Sequence, residues 1–288
     1  MKNKWTHINE RLLAINSLPV FWLAAFFILP ILIMIFFTFR ETSFGQNFEF
    51  TLENYKTYLN SPEYSYLLWK SVILSLIISI LTIILAYPIA YFLVFHAGEN
   101  RMLLLAFLIL PAWISYLLRI LAWKIILGSN GLLNNLINSH GISGLEMSNL
   151  LFNQRAVIIT LISVWIPFAM LPIFSSLERI EKRLIEASQD LGASTFQTFA
   201  KVVFPLSLPG LGAGFFFVFI PTLGEWVTPA LMGGVNGIMF GNLIQDQFLR
   251  SLNWPFGAVL SFVLLIMVLV LVFFFSRFIS ILDDVRVF

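Results

Sequence analysis

Six stretches of this chain are each long and apolar enough to cross a lipid bilayer, and that removes most folds from consideration. They run over about 20–39, 67–95, 102–127, 156–177, 207–232 and 256–282. A hydrocarbon core about 30 Å thick takes about 20 residues of helix. Within it every backbone N–H and C=O must find a partner inside a helix or a closed barrel. Barrel strands alternate polar and apolar residues, whereas these stretches are long apolar runs without that alternation. The expected fold class is an all-α integral membrane protein with six transmembrane helices, organised as one membrane domain over 1–288. Composition agrees: 59% of residues are hydrophobic and only 11% charged, against about a quarter charged in a soluble domain. There is no cysteine, so no disulfide framework or thiolate metal site is available. His7, His96 and His140 are scattered without a carboxylate at ligand spacing, so no metal site is expected.

Lys2, Lys4 and Arg11 ahead of the first apolar run superficially resemble a cleavable signal. The run is of full span length, carries Pro30 at its centre and ends in Thr38-Phe39-Arg40 rather than a small-x-small site. It is expected to be retained as the first helix. Arg40 to Tyr66 reads as a solvated loop in which Thr51 to Tyr55 cap a short surface helix. Pro88 should kink the second span, Pro111 interrupts the third, and Pro167 and Pro172 open the ladder of the fourth twice. Gly128–Arg155 and Gly233–Trp254 read as loops outside the lipid.

Basic residues set the orientation. With the N-terminus inside, the inner segments hold Lys2, Lys4, Arg11, Arg101, Arg179, Lys182, Arg183, Lys201, Arg277 and Arg286, and the outer ones only Arg40, Lys56, Arg155 and Arg250. That bias predicts both termini, and the loop between spans four and five, on the cytoplasmic side.

This loop, EASQDLGASTFQTFAKVVFP over 186–205, is the most informative polar segment. Leu177, Ile180, Leu184, Ala187 and Leu191 recur at helical spacing among charges. Gly192 permits a left-handed turn or the close approach of another chain, and Ser194 or Thr195 is placed to cap a following helix. Periodicity alone allows two readings: a docking knob, or an amphipathic connector lying on the membrane surface.

The spacing supports the first. Glu186-Ala187-Ser188, then Gly192, then nine residues, then Val202-x-Phe204-Pro205 resembles the E-A-A-x-x-x-G…I-x-L-P pattern of ABC importer permeases, with Ser188, Val202 and Phe204 as departures that keep size or polarity class. Phe219 to Trp226 and Gly241-Asn242-Leu243-Ile244 through Asn253 to Gly257 extend the resemblance to the polyamine branch of that family, over nearly the whole chain. It implies the ABC importer type I permease fold, with a cytoplasmic coupling-helix loop at about 178–205. It also implies a multi-pass protein of the bacterial cytoplasmic membrane that transports spermidine or putrescine. The implied partners are ABC ATPase subunits, a second paralogous permease and an extracytoplasmic polyamine-binding protein, with no nucleic acid. No G-x-x-x-x-G-K-[ST] loop is present, so the chain is expected to be non-catalytic and without a cofactor of its own, ATP and Mg bound by the partner ATPase. Glu186, Ala187 and Gly192 map onto the coupling motif.

For the substrate path, Glu225 stands out as an ionisable residue inside the expected fifth span, where charge is costly and functional by default. Beside Trp226 it offers an ammonium group both charge pairing and a cation–aromatic contact. The structural alternative is an ion pair with Arg119 or Lys124. Trp113 and Tyr116, with Trp123 and Trp165, are weaker path candidates, since membrane interfaces attract Trp and Tyr in any case and anchoring or packing is the commoner reason for them. A permease for another solute, such as thiosulfate, iron or a different organic cation, and a stand-alone polytopic enzyme are the competing readings. The enzyme reading needs a catalytic partner for Glu225 that the sequence does not show.

Overall fold

The computed structural model describes residues 16–41, 43, 49–129, 131–133, 135 and 150–284, with side chains through 277. The readings on Lys2, Lys4, His7, Arg11, His140 and Arg286 fall outside these residues. Five helices are long and apolar enough to span a membrane: α1 (Asn16–Thr38), α3 (Pro62–Phe95), α6 (Gln154–Glu178), α8 (Thr195–Leu223) and α11, apolar over Trp254–Arg277 and helical to Asp284. A sixth span arises if the bent pair Gly98–Trp113 and Tyr116–Leu127, which contains α4 (Arg101–Ile109) and α5 (Tyr116–Leu127), counts as one. The shorter helices are α2 (Glu53–Asn60), α7 (Lys182–Asp190), α9 (Val227–Met232) and α10 (Phe240–Leu249).

Four boundaries depart from expectation, each for a backbone reason. The third apolar stretch is not one helix: Pro111 lacks an N–H, a 3-10 turn occupies Leu110–Trp113, and Ile114 and Ser115 are extended, so the two halves meet at 90°. The fifth helix ends at Leu223 rather than near Met232, with Gly224 as its C-cap and α9 restarting at Val227. The second span begins earlier, at Pro62, whose fixed φ suits a helix start. The helix expected over 178–190 is two, since α6 stops at Glu178 and Glu181 is extended before α7.

Two π turns share one cause. Ala24–Ile28 and Phe199–Val203 each end two residues before a proline, Pro30 and Pro205. The widened turn takes the N–H of Leu29 to the carbonyl of Ala24 and that of Phe204 to Phe199, which accommodates the donor that proline lacks without ending the helix. The segment after the loop is therefore continuous with the fifth span.

The chain divides into two compact units, Met1–Pro62 with Ile244–Ile266, and Glu63–Leu243 with Met267–Phe288. In the first, the Tyr55 hydroxyl donates to Thr38 Oγ1 at 2.8 Å and Asn54 donates to the Arg40 carbonyl at 2.8 Å, tying α2 to the end of α1. Ser43 Oγ donates to the Leu252 carbonyl and accepts from the Trp254 N–H. The apolar window of α1 buries none of its residues within the chain, a surface suited to lipid or another transmembrane helix.

The second unit holds the core, where Leu74, Ile78, Leu161, Met170, Ile173 and Leu177 from α3 and α6 are buried together. Helices α6 and α8 pack closely, and two glycines four residues apart make it possible. A Cβ on Gly210 would meet the Pro172 carbonyl at 2.7 Å, and one on Gly214 the Ala169 carbonyl at 2.9 Å. Small residues at this spacing bring helix backbones together in membranes, where packing rather than hydrophobicity drives association.

Candidate functional site

The loop between α6 and α8 is built by its caps. At the end of α7 the Ala193 N–H bonds the Ser188 carbonyl at 3.2 Å and the Gly192 N–H bonds that of Gln189 at 2.8 Å, with Gly192 at φ +83°. This is a Schellman cap, which calls for a left-handed residue. Nothing lies within 4 Å of a Cβ built on Gly192, so its glycine is set by backbone conformation and not by crowding within the chain. Ser194 and Gln197 then form a reciprocal capping box at the start of α8. The Ser188 and Thr198 hydroxyls lie 2.8 Å apart and join the two helices. Ser188 is one of the positions that depart from the family pattern, and here its hydroxyl is used.

Glu186 and Ala187 are exposed on α7, as is Gly192 at its end. Leu191 is 90% and Phe196 76% exposed, at the tip of the knob. Periodicity placed Leu191 on a face with Leu177 and Ile180, yet those two are buried while Leu191 projects outward. A rigid, doubly capped knob with an apolar tip and a carboxylate on its flank can seat in a partner protein. Behind it a cleft of about 350 Å³, lined by Tyr91, His96, Lys182, Glu186, Gln189 and Thr198 among others, separates the knob from the end of α3.

The second site lies in the break between α8 and α9. Glu225 is 9% exposed, and its Oε1 accepts from the backbone N–H groups of Val227 at 2.9 Å and Thr228 at 3.0 Å. The carboxylate therefore satisfies two orphan donors at the start of α9. Charge-assisted bonds of this kind are each worth about 1.5–3 kcal/mol. The Tyr116 hydroxyl is 2.8 Å from Thr228 Oγ1 and also interacts with the Glu225 side chain. Trp226, 42% exposed, extends from the same turn. Glu225 and Tyr116 are thus brought together, with Trp226 on the adjoining residue of the break. Trp113 is not part of this cluster: its ring is 83% exposed at the end of the 3-10 turn.

Neither expected basic partner pairs with Glu225. Lys56–Glu53, Arg101–Glu178 and Arg250–Asp246 form ion pairs, and none of these involves Glu225. Arg119 donates from Nη1 to the Val164 carbonyl at 3.3 Å and stands 6.0 Å from the Tyr116 ring, while Lys124 lies 5.5 Å from the Phe152 ring. Trp165 stacks edge-on with Phe168 and leaves its indole N–H unpaired. Sequence reading missed Thr228 and the role of Asn242. Their polar side chains inside apolar segments were the available signal, but only the fold brings α9 and α10 against the break.

Apolar spanning helices, bent and broken at prolines and glycines, with a capped knob at one loop, define a polytopic membrane protein. A solved bacterial ABC transporter chain involved in import of the acidic polysaccharide alginate has the same fold, with a TM-score of 0.71 at 17% identity, covering 96% of this chain and 98% of that one. The family described as binding-protein-dependent transport system inner membrane component matches residues 101–284. Two similar proteins are named spermidine/putrescine transport system permease protein PotB. The one from Haemophilus influenzae is 37% identical over 94% of this chain and 95% of its own length. The Escherichia coli K12 protein is 40% identical over 85% and 89%. The chain belongs to this family of binding-protein-dependent inner membrane permeases. It is a multi-pass, non-catalytic permease subunit of an ABC importer.

Proposed function

We propose that this subunit forms part of the membrane path of an ATP-driven polyamine importer, carrying spermidine or putrescine into the cell. The observation that carries the substrate class is the 37% and 40% identity to spermidine/putrescine permeases over most of both chains. The chemistry of the break supports it. Glu225 is a carboxylate in an apolar region without a basic partner among the described residues, with Tyr116 beside it and Trp226 next in sequence. An alkylammonium gains both charge pairing and cation–aromatic attraction there.

In this reading the chain acts as a single permease domain over 1–288 with both termini cytoplasmic. Glu186, Ala187 and Gly192 form the coupling knob, which seats in a partner ATPase subunit holding ATP and Mg. Gly192 permits the turn, Ala187 keeps the contact face slim, and Glu186 supplies a polar contact. Closure of the ATPase pair pushes the knob, and the continuous helix Thr195–Leu223 transmits that push to the break at Glu225. A second, paralogous permease completes the path, and an extracytoplasmic polyamine-binding protein delivers cargo. Trp113 stands as an outlying contact on the same path.

Uptake of radiolabelled spermidine and putrescine, in cells with and without this chain and with its partner subunits present, tests the substrate class. Uptake that depends on the chain is expected. Full assembly without polyamine uptake would leave an importer of another solute.

A further inference from the structure

We infer that Asn242 is a positioning residue for the cargo site: it fixes the Glu225–Trp226 break by bonding the Trp226 carbonyl from the start of α10. This rests on the reading of Glu225 and Trp226 as cargo contacts. Asn242 is buried, and both ends of its amide are used. Oδ1 accepts from the Met239 N–H at 3.0 Å, and Nδ2 donates to the Trp226 carbonyl at 2.7 Å. These two bonds determine which end of the amide is which, since a backbone N–H needs an acceptor and a carbonyl a donor.

The neighbouring positions make the contact tight. A Cβ on Gly241 would meet both the Gly224 and Glu225 carbonyls at 2.6 Å, so the first turn of α10 lies directly against the broken backbone. The Phe240 N–H donates to Ser71 Oγ at 2.7 Å, anchoring that turn to α3. The Trp226 carbonyl also accepts from the Ala230 N–H at 3.1 Å. The break is held from two sides: Glu225 secures it to α9 by its own carboxylate, and Asn242 secures it to α10. Residues 224–226 lie outside both helices, so without the second hold the Trp226 ring and the Glu225 carboxylate lose a fixed mutual placement. A bound ammonium needs both at once, and small misplacements of contact groups are costly.

The test is the apparent KM for spermidine uptake by the complete transporter in membrane vesicles, with complex content measured by co-purification of the ATPase. Asn242→Asp keeps the acceptor for Met239 but sets an oxygen against the Trp226 carbonyl. It is expected to raise KM about tenfold, with assembly retained and maximal rate changed less. In a Trp226→Ala background the same substitution should add little, because coupled residues are not additive. An equal KM rise in both backgrounds overturns the inference, as does an unchanged KM in Asn242→Asp. Gly241→Ala, which presses on the same segment from the adjacent residue, is measured in parallel. Should Asn242→Asp fail to assemble, a normal KM in Gly241→Ala likewise overturns it. Unchanged KM in both Trp226→Ala and Glu225→Gln would instead sink the cargo-contact reading itself, a result told apart by using those two variants alone.

Discussion

At the scale of single residues, two positions carry different kinds of constraint. Gly192 is held at φ +83° in open surroundings, so replacing it tests backbone conformation first. A branched residue there costs on the order of 1–2 kcal/mol, whereas asparagine tolerates the left-handed region. Gly192→Val is expected to insert normally and lose most ATP-driven uptake, and Gly192→Asn to keep a larger part; normal uptake in Gly192→Val would argue against the knob as the coupling element. Glu225 has a double duty. Glu225→Gln retains an oxygen acceptor for the Val227 and Thr228 N–H groups and removes only the charge, so assembly should persist while polyamine uptake falls. Glu225→Ala removes the cap as well and should lower thermal stability by about 3 kcal/mol or more, since both bonds are lost. Comparing unfolding and uptake for the two variants separates charge from cap. The sequence made Glu225 visible as a charge among apolar residues, but not its hydrogen-bond partners, because those belong to a helix start that periodicity does not reveal.

At the scale of elements, prolines and glycines decide where helices bend, join and touch. Pro205 shows why composition alone misplaces boundaries: the fifth apolar stretch reads as starting at about 207, yet a π turn over Phe199–Val203 lets the helix run from Thr195 to Leu223 without interruption. The third stretch shows the reverse, since two extended residues after Pro111 turn a run of apolar sequence through 90°. Hydropathy sees neither event, as both depend on φ and ψ. The α6–α8 contact gives a prediction at this scale. Gly214→Leu must displace the Ala169 carbonyl it would touch, and overpacking of this kind costs about 1–3 kcal/mol or more. Reduced melting temperature and poor recovery from detergent are expected, in contrast to Gly192→Val, which should purify normally. Equal recovery of both would show that the helices separate freely at this contact.

At the scale of the whole molecule, the absence of cysteine makes the chain a clean background for topology mapping. Leu191→Cys, at the exposed tip of the knob, is expected to react with a membrane-impermeant thiol reagent in inverted vesicles that hold the chain without its ATPase subunits, and not in intact cells; the opposite pattern would reverse the proposed orientation. The sequence by itself determined the solvent of this protein, the helical class and the family pattern of the loop. These depend on long apolar runs and fixed local spacings, and a bilayer leaves an unpaired backbone no other choice. Only the tertiary structure decided that the fifth span ends at Leu223, that Tyr116, Thr228 and Asn242 converge on the break from separate helices, and that Arg119 and Lys124 stay unpaired with Glu225. Those outcomes come from side chains far apart in the chain satisfying one another's hydrogen bonds, information that no local window of sequence contains.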